Sequence, residues 1–111
     1  MARHVFLAFV NPVPGREAEF NKWMDNFHLP EGLQNKGFVR VTRYKLSDAQ
    51  FLPGDGRAQY LNMWEIESDD LASTLKAALE QQMKATFSDA LDAQSTVTHV
   101  YTDISGPVSK R

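Results

Sequence analysis

His4, His28 and His99 are the only histidines in this 111-residue sequence, and histidine is the side chain whose ordinary titration lies nearest neutral pH. His28 stands apart from the other two. It falls within Asn21 to Gly37 (NKWMDNFHLPEGLQNKG), where Phe20, Trp23, Met24 and Phe27 recur at i, i+3, i+4 and i+7. That spacing predicts an apolar stripe along one side of a helix beginning at Arg16. At about 100° per residue, His28 lies on the flank of the stripe, between core and solvent. Asp25 precedes it by three residues, within reach across one turn. Pro30 and Gly32 are expected to disrupt the helix there, which leaves His28 at a C-terminus whose dipole favours imidazolium. An imidazole at the rim of an apolar hollow, oriented by the Asp25 carboxylate, is suited to act as a general acid or base. The plainer reading makes His28 a helix-end residue bonding the last carbonyls. His99 reads as a packed or interface residue in a strand, and His4 opens the first strand with no assigned role.

Aromatic residues supply the candidate walls. Trp23, Tyr44, Tyr60 and Trp64 are expected to shape a cleft for a small hydrophobic or aromatic substrate, with Asn62 on the same strand side as Tyr60 and Trp64. A mostly apolar wall carrying a few fixed polar groups is what a small-molecule pocket needs. The alternative is that these aromatics are simply core. Tyr101 is a further candidate for the cleft wall, and Thr42 shares a strand side with Tyr44.

Other chemistries find no footing in the sequence. With no cysteine there is no disulfide framework, thiolate metal site or cysteine nucleophile. Three dispersed histidines form no metal motif, so neither a metal nor a cofactor is expected. Pro53-Gly54-Asp55-Gly56 lies between strands, where it is turn chemistry and not a phosphate loop. No Gly-x-Ser-x-Gly elbow is present. Twelve basic residues against fourteen acidic ones lack the surplus that nucleic-acid binding requires. The apolar run Val5 to Val10 is too short to cross a membrane or serve as a signal core, so a cytoplasmic protein is expected.

The elements that must position these residues follow from hydrophobic period. Strands are expected at His4–Val10, Phe38–Leu46, Ala58–Ile66 and Thr96–Ile104. Helices are expected from Arg16 and after Ser68-Asp69-Asp70, which offers an N-cap; Leu71, Leu75, Ala78, Leu79 and Met83 would form the second helix's buried side. Thr86 to Ala93 reads either as a short extra helix or as a frayed continuation. Residues 1–111 thus form one domain of β-α-β-β-α-β order, a ferredoxin-like α+β fold with a four-stranded antiparallel sheet and two helices on one face. Two helices cover only one sheet face, yet the strands carry apolar residues on both: Val5, Leu7 and Phe9 beside Phe6, Ala8 and Val10. The open face is therefore expected to pair with a second copy as a two-fold homodimer.

Asn11-Pro12, the run Gly15-Arg16-Glu17-Ala18-Glu19-Phe20-Asn21-Lys22-Trp23, Asp25, His28-Leu29-Pro30, Gly37-Phe38-Val39 and Arg43-Tyr44 together resemble the dimeric α+β barrel superfamily, and among its members EthD-like small bacterial proteins. The resemblance covers residues 5 to 46 and extends to Tyr60–Glu67 mainly by element order. It implies a homodimer with sheets packed face to face, a cleft between sheet and helices in each subunit, and His28 at that cleft. Activities in the superfamily include cofactor-free monooxygenases, cyclases, isomerases, dehydratases and haem-handling enzymes. The expectation drawn here is a cofactor-independent lyase, isomerase, cyclase or dehydratase acting on a carbonyl compound. In it His28 moves a proton, Asp25 orients the ring, and Trp23, Tyr44, Tyr60, Asn62 and Trp64 shape the site. The alternatives are a cofactor-free monooxygenase or a non-catalytic small-molecule-binding dimer.

Overall fold

Alternation of side chains along each strand divides the sheet into two unlike faces. The computed structural model describes residues 1–111. Four strands, β1 (Arg3–Val10), β2 (Phe38–Lys45), β3 (Tyr60–Glu67) and β4 (Val97–Thr102), pair in the order β2-β3-β1-β4 with every contact antiparallel. The register sets Phe6 opposite Trp64 and Val100, Ala8 opposite Asn62 and Thr98, and Arg43 opposite Asn62 on one face. Leu7 opposite Met63 and His99, with Tyr44 opposite Leu61, occupies the other. β4 stops at Thr102, short of the expected Ile104, because Asp103 turns the chain by accepting bonds from the Ser105 and Gly106 amides at 3.0 and 2.7 Å.

The first helical segment departs from expectation at its middle. α1 (Glu17–Trp23) runs into a π-turn at Met24–His28 and then into α2 (Leu29–Gly32), so Pro30 does not end the helix. The Leu29 amide donates to the Met24 carbonyl, an i→i+5 bond that widens one turn. Pro30 then falls in the first turn of α2, where its missing N–H costs nothing. The widening shifts the phase of all that follows. Phe27, expected in the apolar stripe, is 45% exposed, while Phe20, Trp23 and Met24 remain buried.

α3 (Leu71–Gln82) begins on Asp70, whose carboxylate accepts the Ser73 amide at 3.1 Å, as the cap sequence predicts. Its inner face is less buried than expected. Ala78 is buried, but Leu79 and Met83 are 64% and 81% exposed. The space beneath Leu75, Ala78 and Leu79 is a cavity and not packed core. Thr86 to Ala93 forms no helix: it is an extended crossing that bridges Pro12 to Leu91 and buries Ala90 completely, followed by a single 3-10 turn at Ala93–Ser95. The core gathers Ala8, Val10, Phe20, Trp23, Met24, Tyr60 and Ala90 on the helical side of the sheet.

Gly32 lets α2 lie directly on the Trp64 indole. A β-carbon there would stand 2.7 Å from Trp64 Cζ3 and 3.2 Å from Cζ2. Gly32→Ala should gain about 1 kcal/mol of helix propensity but incur about 1–3 kcal/mol of overpacking. Trp64 has little freedom to retreat, being 4% exposed and set edge-on to Phe38. A net loss of about 1 kcal/mol is expected in urea unfolding. Unchanged stability would mean that the ring swings into the cavity beside it.

Candidate functional site

Between the sheet and the two helical segments lies a cavity of about 290 Å³. The rod of α1, π-turn and α2 contributes Trp23, Met24, His28 and Gly32; β1 and β3 contribute Phe6, Ala8 and Trp64; α3 contributes Leu75 and Leu79. Asn35, Gln82, Thr96 and Thr98 place polar groups on an otherwise apolar wall.

The π-turn is what brings His28 here. In a regular α-helix, residues five apart point about 140° from each other. The wider turn closes that angle, and the His28 imidazole stacks on the Trp23 indole with centroids 4.9 Å apart and planes 27° apart. Its other neighbour is Trp64, edge-on at 5.8 Å and 87°. Neither ring nitrogen bonds to a protein group, and neither is sealed from the surrounding space. Burial holds the imidazole below its usual 6.5, with Glu31 opposing the effect in part. The helix-end argument for a favoured imidazolium therefore fails: His28 sits within the rod, and desolvation makes the neutral ring the dominant form at neutral pH.

A clasp closes one side of the site. Trp23 Nε1 donates to the Thr86 carbonyl at 3.0 Å, while the Glu31 carboxylate accepts from the Thr86 amide at 2.9 Å and from its hydroxyl at 2.8 Å. These bonds fix the Trp23 plane on which His28 stacks and tie the segment after α3 to the rod.

Of the residues expected at the site, His28, Trp23 and Trp64 meet at the cavity. The others do not. Asp25 turns away from His28 and accepts Arg43 Nη1 at 3.0 Å, because the sheet offers it a guanidinium and the ring offers no closer partner. Tyr44 lies on the open sheet face, one register position out of phase with Asn62 and Trp64. Tyr60 faces the helices but joins a polar cluster at the other end of α1, where its hydroxyl donates to Glu17 and its ring lies under the Arg43 guanidinium at 5.1 Å. Asn62 is fully buried behind Met24, donating from Nδ2 to the Met24 sulfur at 3.3 Å. Tyr44 and Tyr60 instead border a wider hollow of about 610 Å³ at the end of the open face, lined also by Phe9, Leu61, Lys45 and Arg57. It contains no histidine; His28 lines the cavity between sheet and helices instead.

Sequence reading did not place Gly32, Asn35, Gln82 or Thr98 at the cavity. Thr98 was legible from strand alternation once its register with Ala8 is known. Asn35 and Gln82 gave no signal, since exposed helix ends carry such residues routinely.

No protein-family model matches this chain, and no curated protein matches it by sequence. Its fold is similar to that of an ethyl tert-butyl ether D (EthD) family protein from Bacillus halodurans C-125, with a TM-score of 0.61 and 13% identity over 94% of this chain and 100% of the other. It is similar also to a candidate monooxygenase from Shewanella loihica PV-4, at 0.59 and 16% over 95% and 98% of the two chains. An Arabidopsis thaliana protein gives 0.54 and 18% over 97% and 100%. At these identities the likeness shows the fold alone: a ferredoxin-like α+β fold, four antiparallel strands with helices on one face.

Proposed function

We propose that this protein is a cofactor-independent acid/base enzyme acting on a small hydrophobic or aromatic carbonyl compound, with chemistry of the lyase, isomerase, cyclase or dehydratase type. The observation that carries this reading is a neutral imidazole, His28, held by two indoles at the wall of an apolar cavity with both ring nitrogens free of protein partners. A carbonyl compound in the cavity presents an activated C–H to one of those nitrogens. The ring takes the proton, the C–H electron pair passes into the enolate, and the imidazolium returns the proton to carbon or to a leaving oxygen. Trp23 and Trp64 position the ring by packing, which replaces the orienting role first expected of Asp25. A cytoplasmic setting suits a chain without cysteine, and no helix is long and apolar enough to cross a membrane.

A second reading, cofactor-free oxygenation of an electron-rich aromatic, draws on the aromatic lining of the cavity and on the fold shared with a candidate monooxygenase. Oxygen uptake separates it from proton transfer.

The working unit in this reading is a homodimer. The open face presents Val5, Leu7, Phe9, Leu61, Met63, Tyr44 and Tyr101, an apolar field that self-association through a two-fold axis covers. Leu7 sits at its centre, paired with Met63 on one side and His99 on the other. Leu7→Glu should weaken the dimer about 100-fold or more, because an uncompensated charge buried at an interface costs about 3–5 kcal/mol. Sedimentation of both proteins reads this directly; a monomeric wild type at 100 μM, as a tested concentration on the order of interface-strength limits, would remove the dimer from the reading.

For the chemistry, proton exchange at the activated carbon of 2-tetralone in D₂O, followed by NMR, is a suitable probe. His28→Gln should slow protein-catalysed exchange by about 10²–10⁴-fold with little change in 2-tetralone binding. Equal exchange in both proteins would return His28 to a packing role. The wild-type rate should fall on the acid side of neutrality, with its midpoint below 6.5. Stability should move with the same group. Because the folded-state pKa is depressed, the unfolded chain binds the extra proton first, so stability declines as pH falls through 6.5 and levels off below the folded-state value. His28→Gln should flatten that part of the urea-denaturation profile, and an unchanged slope would contradict the assignment.

A further inference from the structure

Two polar atoms in the protein interior have no hydrogen-bond partner: the Asn62 Oδ1 acceptor and the Arg43 Nε donor. They are not scattered. Asn62 and Arg43 are directly opposed across β3 and β2 on the helical face of the sheet, where facing side chains lie within reach of one another. A buried donor or acceptor left unpaired is destabilising, and native proteins tolerate few of them.

Neither residue is free to relieve itself. Arg43 is pinned through its other two nitrogens, Nη1 on Asp25 at 3.0 Å and Nη2 on Asn21 Oδ1 at 2.8 Å, with its guanidinium over the Phe20 and Tyr60 rings. Asn62 is 0% exposed, and its only side-chain partner is the Met24 thioether at 3.3 Å. A thioether is a weak acceptor, and methionine is the most easily repacked of the large apolar side chains. Met24 also lines the cavity that holds His28 and Trp64. One flexible side chain therefore separates the cavity from Asn62 and its unpaired acceptor, with Arg43 opposite Asn62 across the ladder.

We infer that Asn62 and Arg43 form a polar subsite behind Met24 that receives a hydroxyl group of the ligand when the thioether swings aside. A hydroxyl group can answer both orphans: its O–H donates to Asn62 Oδ1 and its oxygen accepts from Arg43 Nε. The inference rests on the cavity being the ligand site and narrows the ligand class to phenols and enols. Proton removal from a carbonyl compound by His28 would generate the enolate, whose oxygen accepts from Arg43 Nε and, once protonated to the enol, donates to Asn62 Oδ1. Asn62 and Arg43 are thus specificity residues, and Met24 is the gate.

The test compares 2-naphthol with naphthalene, which share a ring system and differ by the hydroxyl, using NMR titration of the full chain. Wild type should bind 2-naphthol about tenfold more tightly, the worth of one net hydrogen bond. The Asn62 side-chain amide signals should shift with 2-naphthol and stay still with naphthalene. Asn62→Leu should bring the two affinities together without weakening naphthalene. Arg43→Lys keeps the charge and removes Nε; it should cut the preference severalfold, and it serves if Asn62→Leu does not fold. His28→Gln should leave the preference intact, which separates this subsite from the proton-transfer reading. Equal binding of both compounds by wild type, or an undiminished preference in Asn62→Leu or Arg43→Lys, overturns the subsite while leaving the cavity as a ligand site. Failure of both compounds to bind overturns the cavity as a ligand site, and the subsite with it.

Discussion

The bond from the Leu29 amide to the Met24 carbonyl, one residue longer than an α-helical bond, decides what the first helical rod presents to the sheet. It turns Phe27 outward, sets His28 against Trp23, keeps Met24 over Asn62 and carries the chain past Pro30 without a break. π-turns recur at functional sites because they re-aim side chains that a regular helix cannot bring together. Here the re-aimed residue is the one imidazole at an apolar cavity.

The cavity itself follows from incomplete packing of α3. Leu75, Ala78 and Leu79 form a roof over the sheet without filling the space beneath them. Interiors are ordinarily packed close to the density of organic crystals, so a void of this size is an expense that stability alone would not retain. The same holds for the unpaired atoms of Asn62 and Arg43. Two independent departures from good packing, one apolar and one polar, meet at Met24. In the proposed reading a flat apolar molecule bearing an oxygen would answer both.

His28 draws its character from surroundings, not from a carboxylate partner. With Asp25 engaged by Arg43, no anion orients the ring through a hydrogen bond. Burial between two indoles removes water from the ring and depresses its proton affinity, while Glu31, occupied by Thr86, exerts a weaker opposing pull. The result is an imidazole biased toward its neutral form, with the Thr86 clasp holding the indole on which it rests.

Element order, the antiparallel sheet, the Asp70 cap and an apolar second sheet face were all legible in the sequence, since each depends on local period or local hydrogen bonding. So was the convergence of His28, Trp23 and Trp64 on one space, because a short helix and an alternating strand leave few ways to face elsewhere. The phase of the rod beyond Met24 was not legible: one widened turn changes every later direction, and no residue type announces it. The destinations of Asp25, Tyr44, Tyr60 and Asn62 were equally closed to sequence reading. They depend on the β2–β3 register, which sends Tyr44 to the far face and sets Arg43 opposite Asn62. Local periodicity states which side of an element is apolar; only the assembled sheet and helices state what that side meets.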